Sequence, residues 1–447
     1  MARIFPFRAY RYSPELDPAS VLTQPYDKIT PEMQQRYAAA SPYNLIAVEK
    51  GLASPEDSPA GNVYTRAAQS LDRWIADKIL VADSEPSLYA YSQTYALPPG
   101  SAEPHASRET RTGLIALGQI EDYSAGVVFR HEQTLSGPKV DRLELLRHTH
   151  AHTGQLFMIY SDPSKRVDAI LAQAAGVKPD TQLTDEYGVE HRLHRIAQPD
   201  RIAEIQSALA DQKLVIADGH HRYETALAYR NERRAAHSGA ADPNAPFERV
   251  MMTLINTHGT PVTILPTHRV VSDLENFDFH QLSARLDAYF DSYDVRLPAG
   301  SAFDSALHAA LAASADSSVP SIGVYIGGAT LTFFTLKENA DLAEALPDAS
   351  PLQRQLDVVL LHGIILERGL GITAEAVRQE KNLRYERNAS AAVDAVRQGR
   401  AQIAFLLNPT PLASVIEIAT SGEVMPQKST DFYPKLLSGI AIYRLED

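Results

Sequence analysis

KLVIADGHHRYETALAY, Lys213–Tyr229, is the stretch from which the fold can be read. Lys213–Ala217 is short and mostly apolar, as a buried strand is. Asp218-Gly219 breaks it. A helical pattern then starts near Arg222, with Tyr223, Ala226 and Leu227 spaced to share one face. A structural turn needs only the Asp and the Gly, yet this one also carries His220, His221 and Arg222. A helix start already favours an anion, because its first N–H groups have no intrahelical acceptor and the helix dipole is positive there. Added imidazole and guanidinium donors make a phosphate or carboxylate the natural guest. Asp218 would orient a histidine or hold a metal ion. The plain alternative is a capped turn with solvated basic residues, but it does not call for His-His-Arg.

Outward from this stretch, strands and helices alternate. Phe5, Phe7, Tyr10 and Tyr12 alternate as in a strand, and Thr30-Pro31 reads as cap and first residue of a helix. Residues 63–78 form an amphipathic helix, and 88–96 and 112–120 two strands joined by the polar loop PPGSAEPHASRET. Residues 155–160 give a strand, and 200–210 a helix capped by Asp200. Residues 250–256 and 262–265 read as a hairpin-like pair, with Pro266–Arg269 (PTHR) closing the second strand. A further hairpin, 322–326 to 330–336, turns at Gly327-Gly328, and 352–367 reads as a strong helix. Strand, helix and strand follow at 382–386, 392–398 and 402–407. The expected fold is mixed α/β or α+β. The expected division is an α/β region, 1–275, carrying the turn, and a C-terminal α/β region, 276–447.

Composition narrows the function. With 447 residues the chain can hold two or three domains. A net charge of −13 argues against a broad nucleic-acid-binding face. The absence of cysteine excludes disulfides, thiolate catalysis, Fe–S clusters and cysteine-ligated zinc. MARIFPFRAYRY lacks the apolar stretch of a signal peptide, and the longest apolar run, near Val358–Leu361, is too short for a membrane span. A cytoplasmic protein without a membrane partner is expected.

Further constellations carry donors and acids. Arg130–Arg142, RHEQTLSGPKVDR, offers His131, Glu132, Thr134, Lys139 and Arg142. Lys139 and Arg142 suit a phosphate, and Glu132 suits a general base or a magnesium ligand. PTHR places Thr267, His268 and Arg269 where α/β proteins bind substrate. MPQKSTDFYPK supplies Lys428, Ser429 and Thr430 as phosphate contacts without being a P-loop. In PYDK, Asp27 is a carboxylate on a rigid proline turn. HTHAH, His148–His152, would bind a transition metal only if extended, and the preceding helix scatters its directions.

Taken together, QPYDKIT, FRHEQTLSGPKVDRLELL, VIADGHHRYETALAYR, ILPTHRVV and MPQKSTDFYPKLLSG resemble the signature blocks of a bacterial and archaeal family catalogued as a domain of unknown function. More distantly, ADGHHRYETAL is similar to the phosphate-binding turn of the ParB/sulfiredoxin superfamily, which includes partition CTPases, sulfiredoxins and free serine kinases. That resemblance implies a ParB/sulfiredoxin-like core with added α/β segments, and phosphate held by Asp218, Gly219, His220, His221 and Arg222. Sulfiredoxin chemistry needs a cysteine that is absent here, and the acidic charge argues against a partition protein. The serine-kinase branch implies transfer of a phosphoryl group to a small hydroxy amino acid such as free L-serine. The expected co-substrates are Mg²⁺ with ATP, ADP or pyrophosphate. Lys139, Arg142, Lys428, Ser429 and Thr430 would add phosphate contacts, and His131, Thr267, His268 and Arg269 substrate contacts. Glu132, Asp27 and His221 are the catalytic candidates. A non-catalytic nucleotide-binding regulator is the alternative, and a ParB-like nucleic-acid-associated protein the third.

Overall fold

A computed structural model describes residues 2–98, 108–132, 136–236, 242–317 and 319–445, apart from the side chains of 136 and 138. The chain is mixed α/β, as the alternation of patterns predicts. It divides into two compact units, at Val262/Thr263 and again at Tyr433/Pro434, rather than at 275 alone. The first unit comprises Met1–Ala96, Arg108–Val262 and the returning segment Pro434–Asp447. The second is built on Thr263–Tyr433.

The first unit is organised on a nine-stranded sheet. Its order is Val128–Phe129, Leu214–Asp218, Leu156–Tyr160, Arg249–Asn256, Glu109–Gln119, Leu88–Tyr95, Glu190–Ile196 and Thr181–Thr184, with Ile4–Phe5 also on Glu109–Gln119. One register matters most for function. Val128 and Phe129 pair in parallel with Leu214 and Val215, so the chain leaving Phe129 runs beside the chain approaching Asp218. The two strands therefore end together, where α/β sheets present ligand sites. The helix His220–Ala236 follows directly and buries Tyr223, Ala226 and Tyr229. A second core of this unit surrounds helix Val63–Ala76, with Leu71 and Trp74 fully buried. Asn62 and Thr65 form a capping box at its start. Such a cap stabilises by about 1 kcal/mol, less than the about 1.5–3 kcal/mol from each large apolar side chain it helps to bury.

The second unit has a six-stranded sheet, ordered Phe290–Arg296, Thr330–Leu336, Ser321–Tyr325, Ile403–Leu406, His268–Val271 and Leu383–Glu386. Gly327 and Gly328, both at positive φ, turn the expected hairpin.

Several local expectations change. The segments 250–256 and 262–265 do not pair. Arg249–Asn256 lies in the first unit's sheet, while Thr263–Leu265 pairs with Asp431–Tyr433 in the second. The chain passes from one unit to the other between them, and local spacing cannot reveal that. His268 and Arg269 open a strand instead of closing one. The helix expected from Asp200 begins at Pro199, whose missing N–H and fixed φ suit the first helical position, so Asp200 lies in the first turn. The aromatic alternation of 5–12 is split into strands Ile4–Phe5 and Tyr10–Tyr12. The helix expected over 352–367 becomes a short α-helix, Asp357–Leu360, followed by a π-helix, Leu361–Gly369. Over so few residues the apolar spacing of the two helix forms is nearly the same. Most of PPGSAEPHASRET, and Thr134, lie outside the described residues.

Candidate functional site

The site is built from the turn Asp218–Arg222. Gly219 has φ +94°, a conformation that side chains with a Cβ rarely adopt. A Cβ there would also sit 3.1 Å from Leu156 Cδ2 and 3.2 Å from Arg222 Nε. The glycine is thus required twice, by backbone and by space. The first helical hydrogen bond runs from Tyr223 N–H to the Gly219 carbonyl, which leaves the preceding amides in the donor-rich first turn.

Asp218 is the electrostatic centre. Its Oδ1 accepts from Lys435 Nζ at 2.9 Å and its Oδ2 from Arg222 Nη2 at 2.8 Å. Burial alone would raise its pKa, but the charges of Lys435 and Arg222 outweigh that and hold it well below the usual carboxylate range. Asp218 is therefore a fixed negative charge that aims two cations. Arg222 also donates from Nη1 to the Gln155 carbonyl at 2.6 Å, while its buried Nε has no hydrogen-bond partner among the described residues. Arg222 and Arg142 line one small cavity of about 50 Å³ with Glu49, Thr153 and Gly154. Arg142 donates to the Glu49 carbonyl at 2.8 Å, pairs with Asp141 at 2.6 Å and lies over the Tyr26 ring. Tyr26–Lys28 is a single 3₁₀ turn carrying exposed Asp27, whose charge acts on Arg222. Lys50 Nζ holds that turn through the Ile29 carbonyl at 2.7 Å.

On the other side of the turn lie His131 and Glu132, at the end of the adjacent parallel strand. His131 N–H donates to His220 Nε2 at 3.4 Å, and the two rings meet edge to face with centroids 4.6 Å apart. Burial lowers the His131 pKa to about 4, only partly offset by a hydrogen bond to the Ile216 backbone and by Asp218. His220 is pushed well below its ordinary value by burial and then by His131. Both imidazoles are neutral at pH 7. One ligand atom each from His131, Glu132 and His220 lie within 4.8 Å of one another.

The remaining candidates fall differently. Lys139 and Arg130 both pair with Glu224 of the helix His220–Ala236. His221 is half-buried. Thr267, His268, Arg269, Lys428, Ser429 and Thr430 belong to the second unit. There Arg269 is fully buried, bonded to the Thr267 carbonyl, to the Lys428 carbonyl at 3.1 Å and to His362 Nε2 at 3.3 Å. His268 Nδ1 accepts from Leu407 N–H at 3.1 Å. The Ser429 hydroxyl donates to the Pro426 carbonyl at 2.5 Å. Lys428 is exposed at φ +58°. The HTHAH histidines disperse, as the helix ending at Thr149 requires. His148 Nδ1 meets the Glu144 carbonyl, His150 Nδ1 meets the Tyr229 hydroxyl, and His152 stacks on Tyr443.

Two participants escape sequence reading. Lys435 stands in the same block as Lys428, and only its return to the first unit distinguishes it. Glu49 sits inside the apolar run LIAVE. The structure buries that acid and bonds it to Thr153, which the sequence does not show.

Fold and site together define a mixed α/β protein with a charged strand–turn–helix centre. The chain belongs to the family described as "protein of unknown function (DUF1015)", matched over residues 4–359. No curated protein sequence matches it. Among solved structures it is similar to a free serine kinase in complex with AMP, at 12% identity and TM-score 0.34, covering 68% of this chain and 83% of that one. A conserved hypothetical protein from Pyrococcus furiosus is similar at 13% identity and TM-score 0.34, covering 71% and 92%. So is a C-terminally truncated SbnI from Staphylococcus aureus, at 11% identity and TM-score 0.34, covering 72% and 85%. Among the described residues, no helix is long and apolar enough to cross a membrane.

Proposed function

We propose that this protein is a small-molecule phosphotransferase whose acceptor is a hydroxy amino acid, free L-serine first. The carrying observation is the Asp218–Arg222 turn, in which one ionised carboxylate holds Arg222 and Lys435 at a glycine-opened helix start. Such a start suits the phosphates of ATP, ADP or pyrophosphate. The acceptor oxygen would attack the donor's terminal phosphorus. The bond to the leaving phosphate oxygen would break as the new O–P bond forms, and the hydroxyl proton would pass to a carboxylate. Glu132 and Asp27 flank the turn and are the candidates for that proton. Mg²⁺, where it accompanies the donor, supplies charge neutralisation on the phosphates, and the same two carboxylates offer it oxygen ligands. His220, kept neutral by burial, and His221 would contribute N–H donors, and Arg222 charge.

The experiment is to incubate the purified full chain with L-serine, Mg²⁺ and each donor in turn, and to look for O-phosphoserine by mass spectrometry. Product with one donor, lost in Arg222→Ala, is expected. No product with any donor from folded protein would sink the proposal. Nucleotide binding in calorimetry without turnover would replace it by a non-catalytic nucleotide sensor.

A further inference from the structure

We infer that His131, Glu132 and His220 form a binding site for a divalent transition-metal ion of the zinc class. The inference stands on the geometry of these three residues and goes beyond the phosphotransferase reading. Their ligand atoms already lie within 4.8 Å of one another. Tetrahedral ligands at about 2.1 Å from zinc are about 3.4 Å apart, so closing on an ion requires only small side-chain rotations. Two imidazoles and one carboxylate are a nitrogen-rich set, which suits Zn²⁺, Co²⁺ or Fe²⁺ better than Mg²⁺ or Ca²⁺.

Three details of the surroundings agree. The fold sets the two histidines side by side, because one lies two residues beyond the parallel strand Val128–Phe129 and the other opens the helix after its neighbour. His131 hydrogen-bonds the Ile216 backbone, and such a bond from the distal ring nitrogen orients metal-binding histidines and fixes their tautomer. Glu132 is half-buried and gives the cluster its solvent-facing side. The HTHAH histidines provide an internal control, since each has a separate partner. A bound ion would commit Glu132 to the metal and leave Asp27 as the carboxylate for proton transfer.

The test strips the full-length protein with chelator and titrates it with Co²⁺, Zn²⁺ and Mg²⁺ separately. Calorimetry reads stoichiometry, and visible absorption reads the Co²⁺ geometry. One Zn²⁺ or Co²⁺ per chain is expected, with tetrahedral or five-coordinate Co²⁺ absorption and no comparable Mg²⁺ binding. Glu132→Gln and His220→Ala should each weaken binding by at least about 100-fold, more than the usual loss for an outer ligand. His148→Ala and His150→Ala should leave it unchanged. The inference is overturned if the wild-type chain takes up no stoichiometric ion, if uptake survives the exposed-side change Glu132→Gln, or if His148→Ala or His150→Ala abolishes it. None of these readouts depends on phosphoserine formation, so a failed kinase assay and a failed metal titration are separate results.

Discussion

Each unit places an aspartate in a largely buried setting, and the two have opposite fates. In the first unit, burial would raise the pKa of Asp218, but Lys435 and Arg222 override it and the group stays ionised. In the second, burial raises Asp357 to about 7, and the hydrogen bonds from the Ser321 backbone and from the backbone and side chain of Asn408 offset it only in part. What decides is the charge of the neighbours. Asp218 stays ionised and holds two cations in place. Asp357, at the start of the helix preceding the π-helix, gains and loses a proton near neutral pH.

The sharpest way to break this comparison is to remove the anion. Asp218→Ala leaves Lys435 and Arg222 mostly buried without their shared counter-charge, and should cost about 3 kcal/mol. Chemical denaturation followed by tryptophan fluorescence measures this cleanly, because Trp74 is the single tryptophan and is buried in the first unit. An effect under about 1 kcal/mol would mean that the cations are paired elsewhere. Next in size, Gly219→Ala forces a Cβ against Leu156 and Arg222 at φ +94° and should destabilise by about 1–3 kcal/mol. Its activity loss should exceed that of an equally destabilised core variant.

Asp357→Asn tests the other side. The folded-state pKa, about 7, lies above the unfolded value of about 3.9. The fold keeps a proton that unfolding releases, so this group's contribution falls as pH rises from about 4 to 7, by at most about 1.4 kcal/mol per unit. The asparagine variant should lose that slope and match or exceed the wild type at pH 8 in thermal melts followed by circular dichroism. Smallest of all, Lys428→Gly relieves a left-handed residue on an exposed loop and should stabilise by a few tenths of a kcal/mol. A donor KM unchanged in Lys428→Gly would also separate that lysine from the phosphate.

The fold class and the central strand–turn–helix were legible because both depend on local order: an apolar run, a breaker, then a 3.6-residue period. Thr30 as cap before Pro31 was legible for the same reason. Long-range facts were not. Nothing near Val262 marks the passage between units, so 250–256 and 262–265 read as partners. Lys428 and Lys435 look equivalent along the chain, and only the fold ties the second to Asp218. The pairing of Lys139 with Glu224 was not legible either, because it depends on the helix that Glu224 sits on.

The salt bridge between Lys435 and Asp218 joins residues 217 positions apart. At a synthesis rate of about 5–20 residues per second, roughly 10–40 s pass between the appearance of the two side chains on a ribosome. Throughout that interval the strand, the turn and the helix exist with only half of their counter-charge. The Thr263–Tyr433 part of the second unit is made within it. The Asp218–Arg222 turn therefore reaches its final electrostatics last, when the returning segment docks, and a chain interrupted anywhere before Lys435 carries the motif without its completed centre.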